Sequence, residues 1–330
     1  ASWSRGLGDV YKRQGTDSSG DAAEDITIDA GSGAVTVAGI DTGINDVNIE
    51  GATVTLTGNI TTAGDSDDTN GDGVDGAVII TGAALIEPAS GVTINTSSSD
   101  GSVTFSSTVN SDANKTLTIS SGAGAVDFGG IIGGVAGDHL TGLSINAQGS
   151  STGTGTIDIL QIGDTTGPEY GVEGTVTIGN TATGDVTFDG TEYVVDGALT
   201  VTSASGEKIL FTGAGATTVQ TNQDSIQFNS GTIQLAASTP LTINSAGGAI
   251  TVTSVMSAGT TADNDVTINA NSDFSGQNDG DTTIDTETIS IGAVGAVSDI
   301  GKLKLDAADG VTLSGNITLA NAADADLDVN

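Results

Sequence analysis

The sequence predicts an all-β chain wound as a parallel β-helix, or β-solenoid, with about 20–26 residues per coil. Three observations predict it. Short apolar-Thr-apolar triplets recur from Asp25 onward, they return at spacings in the twenties, and the chain lacks the large side chains that a wide core needs.

The triplets include Ile26-Thr-Ile28, Val35-Thr-Val37, Val54-Thr-Leu56, Val92-Thr-Ile94, Val103-Thr-Phe105 and Leu117-Thr-Ile119 in the first part of the chain. Val176-Thr-Ile178, Leu199-Thr-Val201, Leu241-Thr-Ile243, Val266-Thr-Ile268 and Val311-Thr-Leu313 continue the series. Strict alternation places one face of each strand against a core and the other in water, and β-branched residues suit both. Gly, Asn, Asp or Ser bounds each run, and no stretch carries a helical period.

Spacing separates the possible all-β folds. Val103 to Val126 is 23 residues, Leu117 to Leu143 is 26 and Val176 to Leu199 is 23, while Val176 to Val186 is ten. A repeat of this size with two or three short strands suits one solenoid coil, each strand joining a different parallel sheet. Val54-Thr-Leu-Thr-Gly-Asn-Ile-Thr61 also matches Val311-Thr-Leu-Ser-Gly-Asn-Ile-Thr318 at seven of eight positions. The alternative is a row of immunoglobulin-like sandwiches, which need about 100 residues each and usually a buried aromatic. With coils about 4.8 Å apart, about 14 coils spanning about 65 Å are expected.

Composition sets the remaining bounds. A 36% hydrophobic share with a net charge of −35 is the signature of disorder, which the regular β-branched triplets oppose. Without Cys there is neither a disulfide framework nor a thiolate zinc site. No apolar run is long enough for a transmembrane helix, so membrane insertion is not expected. The acidity argues against nucleic acid and anionic membrane, which both attract a basic footprint.

The first fourteen residues differ from the rest. Arg5, Lys12 and Arg13 are three of the seven basic residues, and Trp3 is the only Trp. The string from Ser4 to Gln14 resembles the translation of a sequencing-adapter read-through, and the start has no signal-peptide pattern. Residues 1–24 are accordingly expected to be an artefactual or disordered segment, and residues 25–330 a continuous solenoid cut from a longer gene.

The Val-Thr-Val type triplets, Gly58-Asn-Ile60 with its copy Gly315-Asn-Ile317, and loops such as Gly129-Gly-Ile-Ile-Gly-Gly134 resemble bacterial β-strand-repeat proteins. These comprise filamentous haemagglutinins, autotransporter passengers and giant adhesins. The resemblance covers about Asp25 to Asn330 and speaks to architecture more than to any one protein. It implies a right-handed coil, export from a Gram-negative bacterium to the cell surface or beyond, and a role as a stalk or in adhesion. Partners would then be a glycan or protein surface of a host or the environment, together with neighbouring repeats of the same parent chain.

One segment points to chemistry. Asp68-Thr-Asn70-Gly-Asp72-Gly73 fits the first six positions of a calcium loop, in which alternate Asp and Asn side chains converge several oxygens on a hard cation. Val74 would add its carbonyl and Asp75 its carboxylate. The pattern departs from an EF-hand at its twelfth position, Ile79, where a bidentate Glu belongs. Calcium is thus the candidate cofactor, with Asp68, Asn70, Asp72, Val74 and Asp75 as ligands, against the alternative of a solvated acidic loop. Gln277-Asn-Asp-Gly-Asp281 with Asp273 and Asp285, and Asp263-Asn-Asp265, are weaker versions.

Catalysis finds little support. His139 is the only His, and Lys115, Lys208, Lys302 and Lys304 are scattered, with no Arg after Arg13. β-Helix enzymes that act on acidic sugars need such cations to hold the substrate. The expectation is therefore a non-catalytic structural stalk or passenger region. The alternatives are an adhesive module, for which Phe128, Tyr170, Tyr193 and the span Gly163–Gly174 are the places to look, and a carbohydrate-active β-helix enzyme. The run Thr53-Val-Thr55-Leu-Thr57 raises ice binding, but most strands show a single outward Thr, which β propensity explains.

Overall fold

The computed structural model describes residues 24–329 except 42, 64–75, 88–89, 113–114, 135–137, 147–154, 165–169, 230, 237–239, 259–263, 271–287, 296–299 and 320–325. The described elements are all strands. Every ladder between them is parallel, in an eighteen-stranded and a ten-stranded sheet. Hydrogen-bonded neighbours come from successive passes of the chain. This is a β-solenoid, and the antiparallel pairing of a sandwich is absent among the described residues.

Each coil presents three faces. The eighteen-stranded sheet folds along a bend into a first and a second face, because Ile44–Leu56 and Val78–Ile86 each run through both. The ten-stranded sheet, from Ile60–Thr61 to Gly310–Leu313, forms the third face. One inward column on the first face counts the coils: Ile26, Val47, Val78, Val103, Val126, Ile157, Val186, Ile209, Ile233, Met256, Val294 and Ile317 are partners in succession.

That column gives twelve coils, fewer than the fourteen expected. Most steps along it span 21–25 residues, but Val47–Val78, Val126–Ile157, Ile157–Val186 and Met256–Val294 span 29–38. The extra residues enter at the corners between faces, where a longer connection leaves the stacking of coils undisturbed.

The alternation read from the sequence becomes burial. Val103 and Phe105 face inward with Thr104 between them half-buried, and the same pattern holds in Val92–Asn95, Leu199–Thr202 and Leu241–Asn244. One apolar cluster runs from Val35 to Ala307. On the first face the inward column beside the one above carries aromatic pairs. Phe105 and Phe128 stack at 5.1 Å between ring centroids, and Phe188 and Phe211 at 5.0 Å. Both pairs are register partners on adjacent coils. Phe211 meets Phe228 of the third face edge-on at 6.1 Å, which ties opposite walls together.

Corners use small polar residues turned inward. Ser121 Oγ donates to Gly124 O at 2.7 Å, Thr221 Oγ1 to Asp224 O at 2.6 Å, and Ser245 Oγ to Gly248 O. Each hydroxyl satisfies a turn carbonyl that burial would otherwise leave without water. At the bend inside Val78–Ile86, Gly82 has φ +122°, and a Cβ there would lie 1.7 Å from Gly51 O of the coil before. Only glycine lets adjacent coils approach this closely while the strand turns.

Candidate functional site

The calcium candidates Asp68, Asn70, Asp72, Val74 and Asp75 lie outside the described residues. Their frame is visible. Thr62 Oγ1 donates to Gly76 O at 2.7 Å, and Asn45 and Asp46 accept from the amides of Gly76 and Ala77 at 2.8 Å. These bonds tie Thr62, just past the third-face strand Ile60–Thr61, to Gly76, just before the first-face strand that begins at Val78. Asp263, Asp273, Gln277–Asp281 and Asp285 also lie outside the described residues. Among the described residues no three His, Cys, Asp or Glu side chains gather as metal ligands.

Carboxylates instead form short ladders along the axis. Asp127 and Asp158 are register partners on the first face. Burial, then the charges of Asp158 and Asp189, push the Asp127 carboxyl above its ordinary value. Beside the third face, burial and the charge of Asp196 push Asp224 up. Asn222 Nδ2 donates to Asp196 Oδ1 at 2.8 Å. These pairs are spaced by the coil repeat, so like charges meet wherever an acidic side chain recurs at one position.

The aromatic residues proposed for adhesion point inward. Phe128 is 1% exposed, Tyr193 0% and Tyr170 7%, so none offers a ring to a sugar from where it lies. Tyr193 has a structural task. Its hydroxyl accepts from Gly190 N at 2.7 Å and lies 3.2 and 3.1 Å from Ile159 O and Leu160 O, to one of which it donates. Its ring stands edge-on to Phe188 at 4.6 Å. Burial raises the phenol's affinity for its proton. The phenol therefore fills the bend between two coils as a neutral hydrogen-bonding group.

The four Lys among the described residues do not converge. Lys115 begins a third-face strand, Lys208 a first-face strand, and Lys302 and Lys304 share a second-face strand. Lys304 Nζ lies 3.7 Å from Asp306 Oδ2, an exposed cation against a half-buried carboxylate, and such surface contacts contribute little. His139 is half-buried, and its carbonyl accepts from Ser111 Oγ.

The feature that sequence reading missed is the third face. Its middle outward rank is Thr93, Thr118, Ser144, Thr177, Thr200, Gln227, Thr251, Ser290 and Thr312, each the register partner of the next. The strands of the other sheet carry eleven Asp or Glu. Those of the third face carry none, and Lys115 is their single charge. In a chain of 42 acidic residues, one wall of the rod has strands without a carboxylate and with an outward rank made mostly of hydroxyls. The run Thr53-Val-Thr55-Leu-Thr57 does not belong to it: Thr55 sits on the second face between Thr36 and Leu85, where the Thr rank stops.

Among the described residues no helix is long and apolar enough to cross a membrane. No family model, curated protein or solved structure matches the chain.

Proposed function

We propose that the chain is a non-catalytic rod segment, the stalk or passenger region of an adhesin-like protein of a Gram-negative bacterium, displayed at the cell surface or released outside it. The observation that carries this reading is the unbroken parallel ladder through twelve coils, a mechanically continuous array with no break into separate bodies along the first-face column. The outward charge supports it, since strong acidity keeps long rods soluble and apart.

Single-molecule pulling from the two termini tests the rod. A force-bearing stalk resists extension and then yields coil by coil, whereas extension at the low force of an unfolded chain overturns the proposal. Release of reducing ends from a panel of acidic and neutral polysaccharides would overturn its non-catalytic part.

Calcium belongs to the same reading as a structural ion at the acidic insertion. Millimolar calcium is expected to raise the melting temperature of the wild type and leave Asp68→Ala unchanged. A wild type indifferent to calcium removes the ion from the proposal and leaves the rod standing.

A further inference from the structure

The apolar columns of the rod lose part of their cover at its two described ends. Among the described residues, the half-buried apolar side chains that pack against the core fall into two groups: Ile26, Ile28, Ala30 and Ile44 in the first coils, and Val311, Ile317 and Leu319 in the last. We infer that these two ends bind each other. The C-terminal coil of one copy of this chain docks on the N-terminal coil of a second copy, and the parallel sheets run on from rod to rod.

The columns show what fits. On the first face the column that begins at Ile26 ends at Ile317. On the second face the column that begins at Val35 ends at Val329. A following coil is what buries such residues. Leu303 and Leu305 are 1% and 0% exposed, whereas their register partners Leu327 and Val329 are 42% and 48% exposed. The N-terminal coil offers the triplets that these columns already stack, Ile26-Thr-Ile28 on the first face and Val35-Thr-Val37 on the second. Among the described residues, Glu24–Asp29 and Ala34–Val37 pair only with Ile44–Leu56, and Asp326–Val329 only with Lys302–Asp306. Strand edges of this kind template pairing, and head-to-tail contact keeps every new ladder parallel. On the third face Gly310–Leu313 comes earlier in the winding than Asp326–Val329, so there the copies stand further apart by about one strand spacing, about 4.8 Å.

Charge selects the register. On the first face of the N-terminal coil Asp25 and Asp29 flank Thr27 on the exposed side, while the second-face strand Ala34–Val37 has no charge. In the C-terminal coil the order is reversed. The first-face segment Ser314-Gly-Asn-Ile-Thr318 has no charge, and Asp326 and Asp328 lie on the second face. Stacked face on face, each acidic strand therefore meets an uncharged segment. A turn by one face would lay Asp326 and Asp328 over Asp25 and Asp29. Two C-terminal ends meeting would oppose Asp326 and Asp328 with their own copies. Like charges directly opposite one another on paired strands are destabilising, which disfavours both. Head-to-tail contact along the axis joins unlike surfaces and does not close, so the product is a filament.

The inference rests on the rod fold and not on where the rod is displayed. Sedimentation velocity of the whole chain at about 1 M salt, where repulsion from the net charge of −35 reaches only about 3 Å, tests it. Wild type is expected to form species that lengthen with concentration. Leu327→Lys/Val329→Lys blocks the C-terminal end and Ile26→Lys/Ile28→Lys the N-terminal end, and each is expected to stay monomeric with the wild-type β spectrum. Mixed in equal amounts, the two are expected to form dimers and nothing longer, because each keeps the end that the other has lost. Wild-type monomers at every concentration overturn the inference, as does self-association of either variant, or a mixture that stays monomeric. If Lys at positions 26 and 28 lowers the melting temperature, Ile28→Thr, still β-branched, takes its place. It is expected to weaken association by at least about tenfold, or about 1.4 kcal/mol, and unchanged association overturns the inference. A monomeric wild type leaves the stalk reading standing, since pulling tests that reading on a single rod.

Discussion

Asp127 shows how the coil repeat converts a harmless residue into a strained one. An isolated outward Asp on a strand costs little, but here Asp158 repeats the charge one coil later, Asp189 adds a third nearby, and the neighbouring coils take away part of the hydration of Asp127, which stays exposed. The folded state therefore holds the Asp127 proton more tightly than the unfolded chain does. Stability from this group is fully present below the ordinary carboxylate range and is lost as pH rises through the raised folded value. Asp127→Asn is accordingly expected to stabilise the protein at neutral pH by about 0.2–1 kcal/mol, the scale of one cross-strand charge pair. Chemical denaturation across pH checks it. The difference from wild type should shrink to nothing as pH falls below about 3.9, and a variant less stable at neutral pH would reject the like-charge account.

Strands and corners were unequally legible before the fold was known. The pairs spaced at Val103–Val126, Leu117–Leu143 and Val176–Leu199 are all register partners, because inward apolar residues must sit above one another. The ten-residue step from Val176 to Val186 is a move from the third face to the first. The repeated octapeptide misled in one respect. Its first copy goes from the second face at Val54 to the third at Ile60, and its second copy goes from the third at Val311 to the first at Ile317. A strand-turn-strand sequence encodes a corner, not which corner. For the same reason the carboxylate-free strands of the third face were hidden: insertions make coils unequal, so outward Thr residues cannot be sorted by face until partners are known. The calcium candidate was legible as a motif, yet its residues lie outside those described.

The aromatic ladder is the element on which a wall rests most heavily. Phe128 lies between Phe105 and Ile159 in one inward column, 1% exposed. Phe128→Ala is expected to cost about 3–5 kcal/mol, since neighbouring coils fixed by hydrogen bonds cannot collapse into the gap. Hydrogen exchange should show the loss concentrated in the coils around residue 128 and small in coils near Leu241, because each coil contacts only its neighbours. A loss spread evenly over the chain would mean that the rod behaves as one globular unit.

At the scale of the whole molecule, two opposing features meet at the C-terminal end of the described chain. The coil that holds Gly310–Leu313 and Asp326–Val329 presents the inward-type residues Leu313, Leu327 and Val329 at 42%, 42% and 48% exposure, on strands that each have one strand partner among the described residues. Such an edge templates pairing with another strand. Against it stands a net charge of −35, whose repulsion reaches about 10 Å at 0.1 M salt and about 3 Å at 1 M. Association of this 330-residue chain should therefore be weak in dilute buffer and grow with both salt and protein concentration, as read by sedimentation velocity. Leu327→Lys/Val329→Lys is expected to keep the chain monomeric at high salt without altering its melting curve in dilute buffer, because both side chains lie exposed. Monomers at every salt concentration in the wild type would show that the exposed end does not template pairing. Association undiminished in the double variant would place the contact on another surface, with the third face the first to substitute, since it is the wall whose strands let two such acidic rods meet without opposing carboxylates.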